Sequence, residues 1–104
     1  MIKTSINVVN WANDRNLIRG STPQHQFVKL VEEFGELAAA LARGNMEEFD
    51  DSVGDIMVVM EIMCAQLNRN PIDMHYRQAY EVIKNRRGRM VDGVFIKEED
   101  EQSN

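Results

Sequence analysis

The sequence predicts an all-α fold, a four-helix bundle with a short C-terminal arm. Two observations carry this. Apolar residues recur at three- and four-residue steps through most of the chain, the spacing that lines one face of a helix. Helix start and stop signals punctuate the pattern at Gly20, Thr22-Pro23, Gly44-Asn45, Asn70-Pro71 and Gly88. No internal repeat and no linker is visible, so one domain is expected over residues 1–96, with an acidic, unstructured tail over 97–104.

The first helix is expected from about Ser5 to Ile18, ending at Arg19-Gly20, with Ile6, Val9, Ala12, Asn13 and Leu17 roughly on one face. Thr22 can cap the second and Pro23 suits its first position; it runs to about Arg43, where Gly44 stops it. Its apolar stripe is Phe27, Leu30, Val31, Phe34, Leu37, Ala38 and Leu41. Asn45 with Glu48 three residues on resembles a capping box and opens the third helix, which runs to about Asn68. The fourth begins at Asn70-Pro71, carries Ile72, Tyr76, Ala79, Tyr80 and Ile83, and reaches about Arg87. The following stretch RMVDGVFIK suits an extended arm or a hairpin turning at Asp92-Gly93.

Composition limits the partners. A chain of 104 residues with 43% apolar content builds a modest core, so help from a second subunit is expected. The one cysteine, Cys64, rules out a disulfide framework or a thiolate cluster within the chain and reads as a small core residue. No apolar run approaches the ~18 residues that span a bilayer, and the first residues lack the order of a signal peptide. A cytoplasmic protein with no membrane partner is expected. The formal net charge of −5 argues against a nucleic-acid binder, although not against a small phosphate ligand carried by metal ions.

The third helix poses a chemical question. Only Asp55 and Glu61 are charged between Val53 and Ala65. At about 100° per residue, Asp51 and Asp55 stack on one side, in line with Val58, Val59 and Ile62, and Val53, Met57, Met60 and Cys64 lie opposite. A helix apolar nearly all round belongs at the centre of a bundle or at a subunit interface. A carboxylate there costs several kcal/mol unless it is protonated, paired or metal-bound, so Asp55 calls for a cation or a proton. The second helix offers further acids. Glu32, Glu33 and Glu36 share an arc beside the apolar stripe, and no Lys or Arg four residues further on pairs with them. Two helices that bring acids to the edges of their core faces can form an all-oxygen cluster suited to Mg²⁺ or Mn²⁺. A solvated acidic face is the plainer alternative.

The stretches KLVEEFGELAAAL, DDSVGDIMVVM and VIKNRRGRMVDGVF, in that order, resemble the MazG-like nucleoside triphosphate pyrophosphohydrolases of the all-α type. Their signature is E-E-x-x-E followed after a variable gap by E-x-x-D, and the likeness covers roughly residues 20 to 96. It matches Glu32, Glu33 and Glu36 to the first motif and Asp55 to the last aspartate. One position departs: Ser52 stands where the family usually has glutamate, with Asp51 just before it. The implied reaction is hydrolysis of an NTP or dNTP between the α and β phosphates, giving the monophosphate and pyrophosphate. The resemblance implies Mg²⁺, with Mn²⁺ as an alternative, held by Glu33, Glu36 and Asp55. Asp51 serves as substitute ligand and Glu32 orients the water. Loss of activity through Ser52 stays open.

Phosphate contacts are expected from Lys84 and Arg87, with Asn85 as hydrogen-bonding partner, in a basic stretch with Arg86 and Arg89 placed at the end of the fourth helix. Lys29 balances the acids or reaches a phosphate. Trp11 and Asn13 could stack on and hydrogen-bond to the base, although core anchoring has the stronger claim on Trp11. His25 and His75 are too isolated to act as ligands or bases, and the methionines read as core or interface filler. The expected assembly is a homodimer or homotetramer joined through the third helix. Two other classes compete: a non-catalytic helical interaction module with a degraded metal site, and a di-iron bundle. The di-iron reading is poor, since such bundles use Glu-x-x-His pairs and this chain has none.

Overall fold

In the computed structural model residues 2–101 are described. The chain divides into two compact units, Met1–Met74 and His75–Asn104, taken here in turn.

The first unit holds α1 (Ile2–Asp14), α2 (Pro23–Arg43), α3 (Met46–Gln66) and the start of α4 (Ile72–Ile83). Local chemistry sets the ends of α2. Thr22 is extended and its Oγ1 accepts the His25 N–H at 3.0 Å. At the other end Gly44 takes the left-handed conformation, φ 69°, that a side chain would resist, and its N–H closes the last turn. One residue later Asn45 opens α3. Its Oδ1 accepts the Glu48 N–H at 3.1 Å and its Nδ2 donates to Glu48 Oε2 at 3.2 Å. The turn between α2 and α3 is therefore determined from both sides.

α3 packs against both α2 and α1. It contributes Ile56, Val59 and Ile62 to the core, while α2 adds only Ala40 and α1 only Ala12. Alanines let the helices approach closely but leave the interior thin. The apolar stripe expected on α2 divides in two. Leu30 and Leu37 flank buried Glu33 and Ala40 on an inner seam, whereas Phe27, Val31, Phe34, Ala38 and Leu41 form an outer seam that is exposed. On α3, Val53, Met57 and Met60 are exposed as well. Both exposed rows keep the four-three spacing of a coiled-coil seam.

α1 starts three residues before the expected Ser5 and ends before Ile18, because Asn16 enters the left-handed region at φ 58° and the Leu17 N–H turns back to the Ala12 carbonyl at 2.9 Å. Its inner face carries buried Ser5 and Ala12 with half-buried Val8 and Val9, while Ile6 and Asn13 point outward. Trp11 is 45% exposed and is therefore not a core anchor. At the end of α3, Asn68 (φ 54°) stops the helix, and the Arg69 N–H bonds the Cys64 carbonyl at 2.8 Å.

In the second unit α4 ends at Ile83 and its last turn carries no basic residue. The expected extension to Arg87 fails for a non-local reason. Gly88–Val91 forms β1, Val94–Lys97 forms β2, and the Glu98 N–H donates to the Arg87 carbonyl at 2.9 Å, which draws the approach to β1 out of helical geometry. The strands pair antiparallel, Gly88 opposite Lys97 and Val91 opposite Val94. Asp92 (φ 51°) and Gly93 (φ 81°) are both left-handed, the conformation a two-residue hairpin turn requires. The hairpin anticipated at Asp92-Gly93 is thus present within a mostly helical chain.

The expected tail is structured in part. Glu98–Glu101 makes one helical turn, α5, and residues 102–104 lie outside the described residues. Among the described residues no helix is long and apolar enough to cross a membrane.

Candidate acidic site and basic pocket

Glu33, on the inner seam of α2, is a buried acid of the first unit, 4% exposed. Lys29, one turn earlier, places Nζ 3.3 Å from its Oε1, while Oε2 is buried without a hydrogen-bond partner. Glu36, one turn later, is exposed. Hydrogen bonding to Glu33 and then the charge of Glu33 raise the Glu36 carboxyl above its ordinary range, with a smaller push from Asp55 across on α3 and an opposing pull from Lys29. Two ionised carboxylates have no proton to share. The unpartnered oxygen of Glu33 and the raised Glu36 thus describe two acceptors one turn apart that favour a proton between them, with Lys29 as the cation at hand. The same field raises the Lys29 ammonium, first through its bond to Glu33.

The acids of α3 sit differently from the helical projection. Its buried line is Ser52, Ile56, Val59 and Ile62; Asp51 and Asp55 flank it and are exposed. The charge of Asp55 is therefore solvated in the single chain, and the carboxylate with an unsatisfied oxygen is Glu33, whose Oε1 pairs with Lys29 while Oε2 has no partner. Ser52, 2% exposed, occupies the inward position. Glu32 is exposed beside this group, and its charge also acts on Lys29. Glu33, Glu36 and Asp55 thus lie in a shared field, with Asp51 one turn before Asp55. As placed, among the described residues, no three His, Cys, Asp or Glu side chains stand close enough to hold a metal ion.

Glu61 is a buried acid to which the sequence reading assigned no role. Its Oε2 accepts the Ile72 N–H at 3.2 Å, capping the start of α4 from the C-terminal part of α3. The only signal for it was a charge inside an apolar run. Cys64 nearby is half-buried, and desolvation, with Glu61 adding to it, pushes its thiol upward, as suits an inert core residue.

The remaining candidates of the first unit are on the surface. The Arg15 guanidinium lies 4.5 Å from the Trp11 ring centroid and donates to the Trp11 carbonyl at 3.1 Å, so one face of the indole is covered. Asn13 is exposed, and its carbonyl accepts the Asn16 N–H at 3.0 Å. His25 is also exposed, as is His75 at the start of the second unit.

In the second unit, an open depression of about 670 Å³ is lined by Val82, Asn85, Arg86, Arg87, Lys97, Glu98 and Glu99. A second, about 470 Å³, shares Arg86, Arg87 and Glu98 and adds Gly88, Arg89 and Phe95. Of the expected phosphate contacts, Asn85 and Arg87 meet at the larger depression. Lys84 pairs instead with Glu81 at 2.6 Å, and Lys29 belongs to the acidic site.

No model of a known protein family matches the chain, and no solved structure matches it. A relative is found in Haemophilus phage HP1 (strain HP1c1), described as an uncharacterized 18.2 kDa protein in the rep-hol intergenic region. It is 52% identical over 60 residues, which cover 58% of this chain. The match spans 37% of the relative's own length.

Proposed function

We propose that the chain is a MazG-like nucleotide pyrophosphohydrolase of the cytoplasm, built as a four-helix bundle of the all-α type. It splits an NTP or dNTP into the monophosphate and pyrophosphate with Mg²⁺, or Mn²⁺ in its place. The observation that carries this reading is the buried, unpartnered Oε2 of Glu33 beside the raised carboxyl of Glu36. An all-carboxylate donor set fits a hard divalent cation.

Glu33, Glu36 and Asp55 would hold the ion, with Asp51 as a further oxygen. When bound, it neutralises the polyphosphate and stabilises the charge on the leaving pyrophosphate. Glu32, exposed at the rim, accepts a proton from the attacking water and aims it at the α phosphorus. Lys29 withdraws from Glu33 or turns its ammonium to a phosphate. Asn85 and Arg87 bind phosphate oxygens, with Lys84 joining them by leaving Glu81, and Trp11 and Asn13 are assigned to the base. The exposed seams of α2 and α3 are assigned to a homodimer or homotetramer, since contiguous apolar patches of this kind mark association surfaces.

One observation favours a second reading. Ser52 is buried where the family's glutamate would stand, and a hydroxyl is a poor substitute for a carboxylate; a non-catalytic helical interaction module would have this composition. The two readings are separated by assaying pyrophosphate release from the common NTPs and dNTPs with Mg²⁺ or Mn²⁺. The enzyme reading expects turnover that Glu36→Gln or Asp55→Asn abolishes while circular dichroism stays helical. Wild-type turnover in either variant would refute the assigned site, and no turnover with any nucleotide would favour the module.

A further inference from the structure

The acidic turn α5 follows β2 without a break and lies against both strands of the hairpin. Its sequence, Glu98-Glu99-Asp100-Glu101, contains no apolar residue to bury. A single turn of four residues has no stability of its own, since isolated helices below ~12 residues are marginal even with favourable sequences. Its attachments include two to basic segments. The Glu98 N–H holds the Arg87 carbonyl at 2.9 Å, and Lys97 Nζ stands 4.0 Å from Glu99 Oε1, the outer limit of an ion pair. Glu98 lines both depressions together with Arg86 and Arg87, and Glu99 lines the larger one with Lys97. Carboxylate and phosphate are the same kind of ligand to a guanidinium.

We propose that α5 is a built-in anionic competitor for the basic pocket: Glu98 and Glu99 occupy the field of Arg86, Arg87 and Lys97, and a phosphate-type anion binds by displacing them. The latch is loose by design, because exposed ion pairs are weak and screened by salt. The inference rests on reading Asn85 and Arg87 as phosphate contacts, and it adds regulation by the chain's own carboxylates.

The test is calorimetric titration of the full chain with pyrophosphate in EDTA, so that neither metal nor turnover enters. The variant Glu98→Gln/Glu99→Gln/Asp100→Asn should bind pyrophosphate about fivefold tighter than wild type, a gain of the size expected from removing weak, exposed charge competition. Adding Arg86→Gln and Arg87→Gln should remove that binding. A control that neutralises as many charges elsewhere, Asp14→Asn/Glu47→Gln/Asp50→Asn, should show no such gain. Equal tightening in the control would reduce the effect to net charge and overturn the proposal, as would unchanged affinity in the α5 variant or no pyrophosphate binding by any of the proteins. Failure of the enzyme reading looks different. Tightening in a chain that hydrolyses no nucleotide keeps the competitor and removes the activity, whereas hydrolysis without tightening does the reverse.

Discussion

Lys29 Nζ stands 3.3 Å from Glu33 Oε1, joining a half-exposed ammonium to a carboxylate that is 6% exposed. The pairing is incomplete, because the second oxygen of Glu33 is buried with no partner. On the proposed metal reading, a lysine in this position is the resident cation that a divalent ion would replace.

The first prediction follows from that replacement. Lys29→Met should destabilise the metal-free chain by about 1 kcal/mol, between the value of an exposed pair and that of a broken buried one. Mg²⁺ should then stabilise the variant more than wild type. Urea unfolding in EDTA and in Mg²⁺ measures both effects, and an identical gap under the two conditions would mean that no ion reaches Glu33.

Glu36 supplies a pH dependence with a definite sign. Its carboxyl is raised above the ordinary 4.5, through hydrogen bonding to Glu33 and then the Glu33 charge. The folded chain therefore holds this proton more tightly than the unfolded chain, so metal-free stability falls as pH rises from about 4.5 through the raised value and is level beyond it. Glu36→Gln lacks this loss. The melting temperature of the variant minus that of wild type should grow across that window in EDTA, and a difference that is flat with pH would show that the two carboxyls do not interact.

Asp51 and Ser52 offer two ways of completing an ion's shell, and two substitutions tell them apart. If exposed Asp51 supplies the oxygen, Asp51→Asn should cripple pyrophosphate release and Ser52→Glu should raise neither release nor Mg²⁺ affinity. That outcome is the expected one, because Ser52 faces the core, where a new carboxylate would have to be buried. A gain of turnover and of Mg²⁺ affinity in Ser52→Glu, with Asp51→Asn silent, would show instead that the position is vacant.

The exposed seams predict association. Sedimentation at micromolar concentration should find dimers or tetramers, and Phe34→Lys or Met57→Lys, each at the middle of a seam, should yield monomers. A wild-type chain that sediments as a stable monomer would contradict the assignment.

The sequence revealed structure where the determining chemistry is local. Thr22, Pro23 and Gly44 delimit α2 through bonds within one turn, and Asp92-Gly93 encodes a hairpin by backbone preference alone. Ends set by distant partners were not legible. α4 stops at Ile83 because the backbone ahead of β1 is held through Glu98, which no nearby residue announces. At the candidate site, the three-residue spacing of Glu33 and Glu36 announced two carboxyls of α2 that act on one another. Projection of α3 chose Asp55 as the buried charge, whereas the helix crossing turns Ser52 inward, about 60° away on the wheel. That much rotation decides between solvent and core, and it depends on how two helices pack rather than on either sequence. The target of Glu61, an N–H eleven residues on, was hidden for the same reason.

The hairpin of the second unit also has a temporal character. Its strands are four residues each, a two-residue turn joins them, and β1 is exposed throughout. Such an element closes within roughly microseconds and opens without breaking a core, so its amides should trade hydrogen for deuterium rapidly while those of α3 are retained. On the proposed reading, an anion bound at Arg86 and Arg87, beside Gly88 at the start of β1, would slow that opening. The arm would then be a clock read at its own amides, and the slowing of its exchange would measure how much of the time the pocket is filled.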